Sequence, residues 1–279
     1  MKSYWFGIVI FIIAVCLITP LIVGQQTTKI VQGQAILTVS EGKRLIAKAI
    51  AQMPEVKEAL SGGMVIIAKG TTNTYVAEEI VGRKIEHGAY VYGRTHPQKG
   101  GKRLNPGESI SEFILVNGKV QKDLSLSDAV KKLKRGDVVL KGANALDYQT
   151  KNAGVLAGSS TGGTTGTFLP YVVARKAHLI IPVGLEKQVA GNPVDIARMM
   201  KEPTTPINGV PSMFLLPGQI VTEIEALKIL AEVEVYQVAA GGIGGAEGAV
   251  RLLIRGSRSD VEKALQAVEQ IQGEPPFAE

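Results

Sequence analysis

The first twenty-four residues constrain this chain more than any other stretch. Residues 4–24 contain no charged side chain and consist largely of Ile, Val, Leu and Phe. Because an α-helix rises about 1.5 Å per residue, this run spans about 30 Å, the thickness of the bilayer hydrocarbon. Tyr4 and Trp5 stand at one end, where amphipathic aromatic rings favour the membrane interface. The sequence therefore predicts a membrane segment over residues 4–24, followed by an extramembrane body.

The residues of this segment are compatible with either a cleaved signal peptide or an uncleaved anchor. Lys2, the apolar run and the small residue Gly24 follow the order of a signal peptide. The cut site is a poor match to the small-x-small pattern, and the apolar run is longer than most signal cores. We favour an uncleaved single-pass anchor, with secretion as the alternative. A short N-terminal tail with a basic residue usually stays inside, which places the body outside the cytoplasm.

Composition argues against several classes of function. Aromatic residues are 5% of the chain, so base-stacking platforms are not expected and no nucleic-acid partner is predicted. Three histidines and one cysteine lack metal-ligand spacing, so we predict no metal site, and no cofactor either. A single cysteine also leaves the body without an internal disulfide. The net charge of +6 instead suits an anionic ligand or an anionic lipid surface.

The remaining chain divides into three predicted parts. Residues 25–39 are polar and are predicted to form an irregular linker. Residues 40–215 alternate helix-like segments with short apolar runs such as Met64–Ala68, which predicts an α/β domain with a mainly parallel sheet and helices on both faces. Residues 216–279 show the order helix, strand, strand, helix, which predicts a small ferredoxin-like α+β domain.

Local signals refine this division. Ser40 and Ser127 are predicted to cap helices, and Pro54 to interrupt the first of them. The proline-rich stretch 203–217 is predicted to be a surface connection between the two domains.

Three turns in the larger domain combine glycine with small polar residues. Each follows a strand-like run, and parallel strands bring such turns together at one edge of a sheet. Glycine lets the backbone approach an anion closely, while helix N-termini supply N–H donors and the positive end of a dipole. We therefore predict a site for a phosphate or carboxylate group, with a lysine compensating its charge. The predicted ligand-binding residues are Gly70, Thr71, Thr72 and Asn73, then Lys141, Gly142 and Asn144, then Gly163, Thr164 and Thr165, with Lys187.

These motifs carry a loose resemblance to a known superfamily. The run 64–74 resembles the glycine-threonine phosphate loop of ribose-5-phosphate isomerase A and its sugar isomerase and CoA-transferase relatives. Residues 141–147 stand where that isomerase has Asp-Gly-Ala-Asp-Glu, and residues 162–187 resemble its glycine-rich loop, helix, strand and lysine. The resemblance covers residues 40 to 272 in the order of elements, and it implies a sugar-phosphate or CoA-ester ligand and a small ferredoxin-like domain.

The sequence departs from this superfamily at the acids that its isomerisation requires. Lys141, Asn144 and Ala145 replace the carboxylates of one motif, and Pro170 falls where the other motif supplies a glutamate. Isomerisation by proton transfer therefore lacks its usual carriers. We predict that the pocket is not an active isomerase and binds its ligand without that reaction.

Three hypotheses follow. The leading one is a membrane-anchored binding or sensing protein for a small anionic metabolite. The second is a diverged sugar-phosphate isomerase or CoA-transferase-like enzyme, with Asp147 or Glu186 as its acid or base. The third is an assembly protein without a ligand, a homo-oligomer whose C-terminal unit pairs through sheet edges. That unit also resembles the shell-forming domains of bacterial microcompartments, although a membrane segment fits such a role badly.

Overall fold

The computed structural model describes residues 1, 29–92, 95–96, 98–99 and 109–277. Over these ranges, no helix is both long and apolar enough to cross a membrane. The predicted membrane segment, residues 4–24, lies outside the described residues and stays a prediction. The described residues have a mixed α/β structure with a mainly parallel central sheet, which confirms the predicted class.

Twelve strands and eight α-helices make up the described residues. The strands are β1 Val31–Leu37, β2 Met64–Ile67, β3 Phe113–Val116, β4 Lys119–Val120, β5 Val138–Leu140, β6 Ala145–Asp147, β7 Asn152–Ala157, β8 His178–Pro182, β9 Ser212–Leu215, β10 Gln219–Val221, β11 Glu234–Ala240 and β12 Val250–Gly256. The helices are α1 Val39–Gln52, α2 Pro54–Gly62, α3 Thr71–Val81, α4 Leu126–Val130, α5 Gly163–Arg175, α6 Pro193–Met199, α7 Glu223–Leu230 and α8 Arg258–Glu269.

The central sheet has six strands in the order β10-β8-β5-β2-β3-β4. Strands β10, β8, β5 and β2 run parallel, so their carboxyl ends lie at the same edge. Strand β3 runs antiparallel to β2 and pairs Phe113 with Ile67, so β3 begins at that edge. Side chains of β2 and β5 are buried throughout, as expected for strands covered on both faces.

Two smaller antiparallel sheets complete the fold, and they correct two predictions. Strand β1 pairs with β12 in the sheet β1-β12-β11, so residues 31–37 are not an irregular linker. Their alternation of exposed and buried side chains is the strand signal that the polar composition concealed. Strand β9 pairs with β7 in the sheet β6-β7-β9, so the proline-rich stretch is a connection only in part.

Local side-chain hydrogen bonds determine where helices α1 and α4 begin. Helix α1 is capped by Thr38, which forms a capping box with Glu41, and helix α4 is capped by Ser125. The predicted caps Ser40 and Ser127 are therefore wrong by two residues, because each lies inside its helix. Pro54 opens α2 at its first position, where a missing N–H costs nothing.

One large buried apolar cluster extends through most of the described chain. It includes Leu45 of α1, Val139 of β5, Leu227 of α7 and Leu252 of β12. Helix α1 packs against both α3 and α7. Side chains on both sides of the predicted domain boundary at 215/216 thus share a core, and β10, just after that boundary, belongs to the central sheet.

Candidate functional site at the carboxyl edge of the central sheet

The carboxyl edge gathers polar and charged residues from four parallel strands. Thr71 begins α3 shortly after β2, and Lys141 directly follows β5. Glu186 lies in a 3-10 turn after β8, and Glu223 begins α7 shortly after β10. In open parallel sheets, ligands bind outside this edge. The residues at this edge are therefore candidates for ligand binding or catalysis.

The turn after β2 leaves a helix N-terminus without a side-chain cap. Gly70 occupies the N-cap position of α3 and supplies no side-chain cap. The first N–H groups of a helix have no partner within the helix, so they are candidate donors toward this edge. A Cβ placed on Gly70 would have, among the described residues, only Asn73 Cβ within 4 Å, at 3.9 Å.

Asn73 joins the ends of two strands. Its side chain is fully buried, and Nδ2 donates to the Ala68 carbonyl at 2.7 Å and to the Leu140 carbonyl at 3.0 Å. Among the described residues, its Oδ1 has no hydrogen-bond donor. Asn73 therefore fixes the spacing of the turns after β2 and β5, and one buried acceptor is left without a partner.

Lys141 follows β5 and is half-buried. Its Nζ donates to the Gly142 carbonyl at 3.2 Å. Burial lowers the pKa of Lys141 to about 8, and in the described part of the chain no carboxylate near it offsets this effect. A ligand that brought negative charge to this ammonium would supply the missing counter-charge.

The turn before α5 reaches the same edge through Glu112. Thr164 Oγ1 donates to Glu112 Oε1 at 3.4 Å, and Glu112 precedes β3 where that strand begins. Gly162 and Gly163 both have φ in the left-handed region, +76° and +55°, which glycine adopts without strain. Within the described ranges no side chain caps α5, so its first N–H groups are also candidate donors.

Two predicted residues of the second and third turns have structural roles. Asn144 donates its backbone N–H to the Gly154 carbonyl at 2.8 Å, and its Oδ1 accepts from the Leu156 N–H at 3.0 Å. It is thereby part of the β6-β7 hairpin. Thr165 is buried in the first turn of α5.

Asp147, a candidate acid or base, stabilises a turn. It accepts hydrogen bonds from Thr150 Oγ1 at 2.6 Å and from the Gln149 N–H at 3.1 Å. The Thr150 hydroxyl is the main cause of a lowered pKa at Asp147. A carboxylate stabilised in its charged form by its own turn is a poor general acid.

Glu186, the other candidate, belongs to a buried cluster that the sequence motifs did not indicate. Lys43 Nζ lies 3.5 Å from Glu186 Oε1, and the two side chains are 6% and 11% exposed. Glu223 is buried beside them and accepts from the Leu185 N–H at 2.9 Å. We name Lys43, Glu186 and Glu223 the lysine cluster. From the sequence, only the position of Glu223 shortly after a strand could have indicated this cluster.

Two glycines leave room for these carboxylates. A Cβ on Gly42 would lie 2.4 Å from Glu223 Oε1. A Cβ on Gly184 would lie 1.8 Å from Glu186 Oε2 and 3.0 Å from Glu223 Oε1. Any side chain at either glycine would displace a carboxylate, so both carboxylates occupy the same small space.

The lysine cluster carries more acid than base. Burial, and then the charge of Glu186, raises the pKa of Glu223. Burial lowers the pKa of Lys43, and the charge of Lys187 adds to this effect, whereas Glu186 opposes it. Both oxygens of Glu186 are buried without a hydrogen-bond donor among the described residues. A proton retained by Glu223 would relieve the repulsion between the two acids. Lys187, predicted to compensate ligand charge, acts on this cluster.

No protein-family model, curated protein or solved structure matches this chain. The likeness to the ribose-5-phosphate isomerase A superfamily therefore stays a resemblance of motifs.

Proposed function

We propose that this protein is a membrane-anchored binding or sensing protein for a small anionic metabolite, which carries a phosphate or carboxylate group. Three observations support this most directly: α3 begins at the carboxyl edge without a side-chain cap, Thr164 in the first turn of α5 contacts Glu112 at that edge, and Lys141 there has no carboxylate partner within the described ranges. Helices α3 and α5 supply the N–H donors, and Lys141 supplies the charge. Gly70, Thr71, Gly163 and Thr164 would line the site.

Charge complementarity gives the reason for affinity. N–H groups at a helix N-terminus favour anions through both hydrogen bonds and the helix dipole. A half-buried ammonium interacts with an anion more strongly than a fully solvated one, since less water screens the pair. A bound anion would also remove the cost of holding Lys141 without a counter-charge.

A thermal-shift screen tests the proposal on the full chain in detergent. The panel contains inorganic phosphate, sugar phosphates, nucleotides, CoA esters and small carboxylates. Saturation at a hundredfold excess over Kd should stabilise the fold by about 2.7 kcal/mol. Lys141→Met should weaken binding tenfold or more. The matched control is Lys119→Met. Lys119 lies in β4 beside the β3-β4 hairpin, which is at the opposite edge of the sheet, where β2 begins. An unchanged shift in Lys141→Met, or no shift with any compound, would contradict the proposal.

Two further variants separate hydroxyl from backbone contributions. Thr71→Val removes one side-chain donor and should cost about 1 kcal/mol of binding. Gly163→Val should cost more, since a branched side chain at φ +55° strains the turn that presents the α5 N–H groups. Equal small losses in both variants would argue against a role for the backbone of α5.

The anchor has its own test. If residues 4–24 hold the protein in a bilayer, extraction of the full chain should require detergent. Full-length protein in the aqueous fraction after high-speed centrifugation would contradict the anchor without affecting the ligand site.

For the C-terminal part, we propose a ferredoxin-like unit completed by β1. Strands β11 and β12 with helices α7 and α8 follow the expected order, and β1 adds an edge strand from the start of the body. Deletion of residues 29–37 should then destabilise β12, visible as faster hydrogen exchange in that strand.

A second candidate function, a diverged enzyme, is favoured by the lysine cluster. Paired buried carboxylates beside a lysine are frequent in active sites, because their pKa values are pushed apart. Glu186, the most exposed acid of the pair, would be the acid or base. Turnover of any panel compound should then fall at least a hundredfold in Glu186→Gln with little change in binding.

A further inference from the structure

Lys141 differs from Lys43 and Lys69, two other lysines near the carboxyl edge, in the partners of its side-chain amine. Lys43 is paired with Glu186, and Lys69 donates to Ser109 Oγ at 3.0 Å while lying over the Tyr92 ring. Among the described residues, Lys141 Nζ donates only to the carbonyl of its own neighbour Gly142, at 3.2 Å. No carboxylate in those ranges holds this amine at the end of the central strand.

The surroundings of Lys141 place it beside the first turn of α3. Leu140, the residue before it, accepts from Asn73 Nδ2, and Asn73 is in the first turn of α3. Gly142, the residue after it, lies against the Pro182 carbonyl at the end of β8. The lysine thus stands between the ends of three parallel strands, half-buried and within reach of a ligand that enters this edge.

We propose that Lys141 is a reactive amine, which forms a Schiff base with a small anionic carbonyl compound, such as an oxo acid or a phosphorylated aldehyde, bound at this edge. The inference rests on the proposed function and specifies its ligand class. The anionic group would lie at the N-terminus of α3, and the carbonyl carbon at Lys141 Nζ.

The chemistry balances without a further reactant. The ammonium first releases one proton to water, and the neutral amine then adds its lone pair to the carbonyl carbon. The carbonyl oxygen takes up one proton from the nitrogen and the released proton from solvent, and leaves as water while the nitrogen keeps its last proton. The products are a protonated imine and one water molecule. With a pKa near 8, about one-tenth of the Lys141 amines are neutral at pH 7, against fewer than about one in a thousand for an ordinary lysine.

Reductive trapping on the full chain in detergent tests the inference. Pyruvate and pyridoxal 5′-phosphate are added separately with cyanoborohydride in an amine-free buffer, and lysine adducts are located by peptide mass spectrometry. At low probe concentration, Lys141 should be labelled at least tenfold faster than Lys119, which is exposed on β4. Inorganic phosphate should slow the Lys141 reaction and leave Lys119 unchanged. Equal labelling of the two lysines with both probes would overturn the proposal.

A charge-preserving variant separates this inference from the proposed function. Lys141→Arg keeps a cation but cannot form a Schiff base, so anions should still stabilise it in the thermal-shift screen. If anions stabilise the wild type but Lys141 is not labelled selectively, the Schiff base is wrong and the binding proposal stands. If Lys141 is labelled selectively while no anion stabilises the protein, the amine is reactive and the binding proposal is wrong.

Discussion

Lys43 and Arg44 are neighbours in α1, and both are buried against carboxylates. The two sites differ in how many hydrogen bonds their charged groups make. Arg44 donates to Glu78, to Glu79 at 3.0 Å and to Glu274 at 2.9 Å. Among the described residues, Lys43 forms an ion pair only with Glu186, at 3.5 Å. A buried charge pair is stable only when further hydrogen bonds satisfy its remaining donors and acceptors. Arg44 meets that condition and the lysine cluster does not.

The surroundings of Arg44 indicate that its hydrogen-bonded ion pairs have a structural role. Its guanidinium lies 4.5 Å from the centre of the Tyr75 ring, and Glu274 belongs to the segment that follows α8. In the same segment, Phe277 stacks on His87 at 4.5 Å. Arg44 therefore fastens the end of the described chain onto α1 and α3. The lysine cluster instead brings together α1, the turn after β8 and the start of α7 at the carboxyl edge of the central sheet.

The largest expected effect is the loss of Arg44. Arg44→Met leaves Glu78 buried with its main cation removed, and its side chain is only 3% exposed. Removal of one partner from a buried ion pair costs about 3 to 5 kcal/mol. Urea unfolding should show this loss. Arg258→Met, which removes an exposed pair with Glu262, is the control and should stay within about 0.5 kcal/mol. A loss below about 1 kcal/mol for Arg44→Met would refute its role as a fastening residue.

Lys43→Met should have a smaller effect, which depends on pH. The cluster already contains more acid than base, so Glu186 and Glu223 can take up protons when the lysine is lost. We expect a loss of about 1 to 3 kcal/mol at pH 7, the cost of buried polar groups without partners. The loss should be larger at pH 9 than at pH 5, since protonated carboxyls need no counter-charge.

The matched control for this variant is Lys131→Met, in which an exposed pair with Asp128 is removed. Urea unfolding at the three pH values measures both proteins. A loss as large as that of Arg44→Met, and the same at each pH, would show that the two sites do not differ.

The smallest effect at acidic pH is expected for Glu223→Gln, which resembles the protonated acid. The pKa of Glu223 is raised on folding, so the acid stabilises the fold fully below its ordinary value of 4.5. That stability is lost as the pH rises from 4.5 through the raised value, because the unfolded chain gives up its proton first. Glutamine removes this pH dependence. The variant should lie within about 1 kcal/mol of the wild type at pH 5 and gain relative to it toward pH 9.

Thermal unfolding between pH 5 and pH 9 measures this difference. Glu262→Gln, an exposed change in α8, should show no such trend. A constant difference between Glu223→Gln and the wild type over this range would mean that Glu223 is ionised at neutral pH, and the surplus of acid in the lysine cluster would then need another explanation.

The predictions that succeeded rest on local signals. The apolar run Met64–Ala68 gave β2 nearly to the residue, because strands buried on both faces contain almost no polar positions. Pro54 marked the start of α2 through its fixed φ and missing N–H. Each of the two predicted glycine turns leads into a helix, but α3 and α5 begin within those turns, at Thr71 and Gly163. Whether a ligand binds there stays a prediction.

The failures concern partners that are distant in the chain. Residues 31–37 are a strand only because β12, more than two hundred residues later, supplies their hydrogen bonds. Asn144 has the same residue type as a ligand-binding amide, but its oxygen is used by the hairpin that follows. A polar side chain does not reveal in the sequence whether its hydrogen-bond partner will be a ligand or the backbone.

The sequence by itself determined the apolar N-terminal segment, the alternation of strands and helices, and the glycine turns. Each depends on side chains within a few residues, through hydrophobicity, periodicity and backbone freedom. Only the tertiary structure decided which charges meet. Lys43, Glu186 and Glu223 come from three distant elements, and their protonation depends on burial and on distances of a few ångströms. Coulomb energies and desolvation vary steeply over such distances, so the contrast between Lys43 and Arg44 arises only in the folded chain.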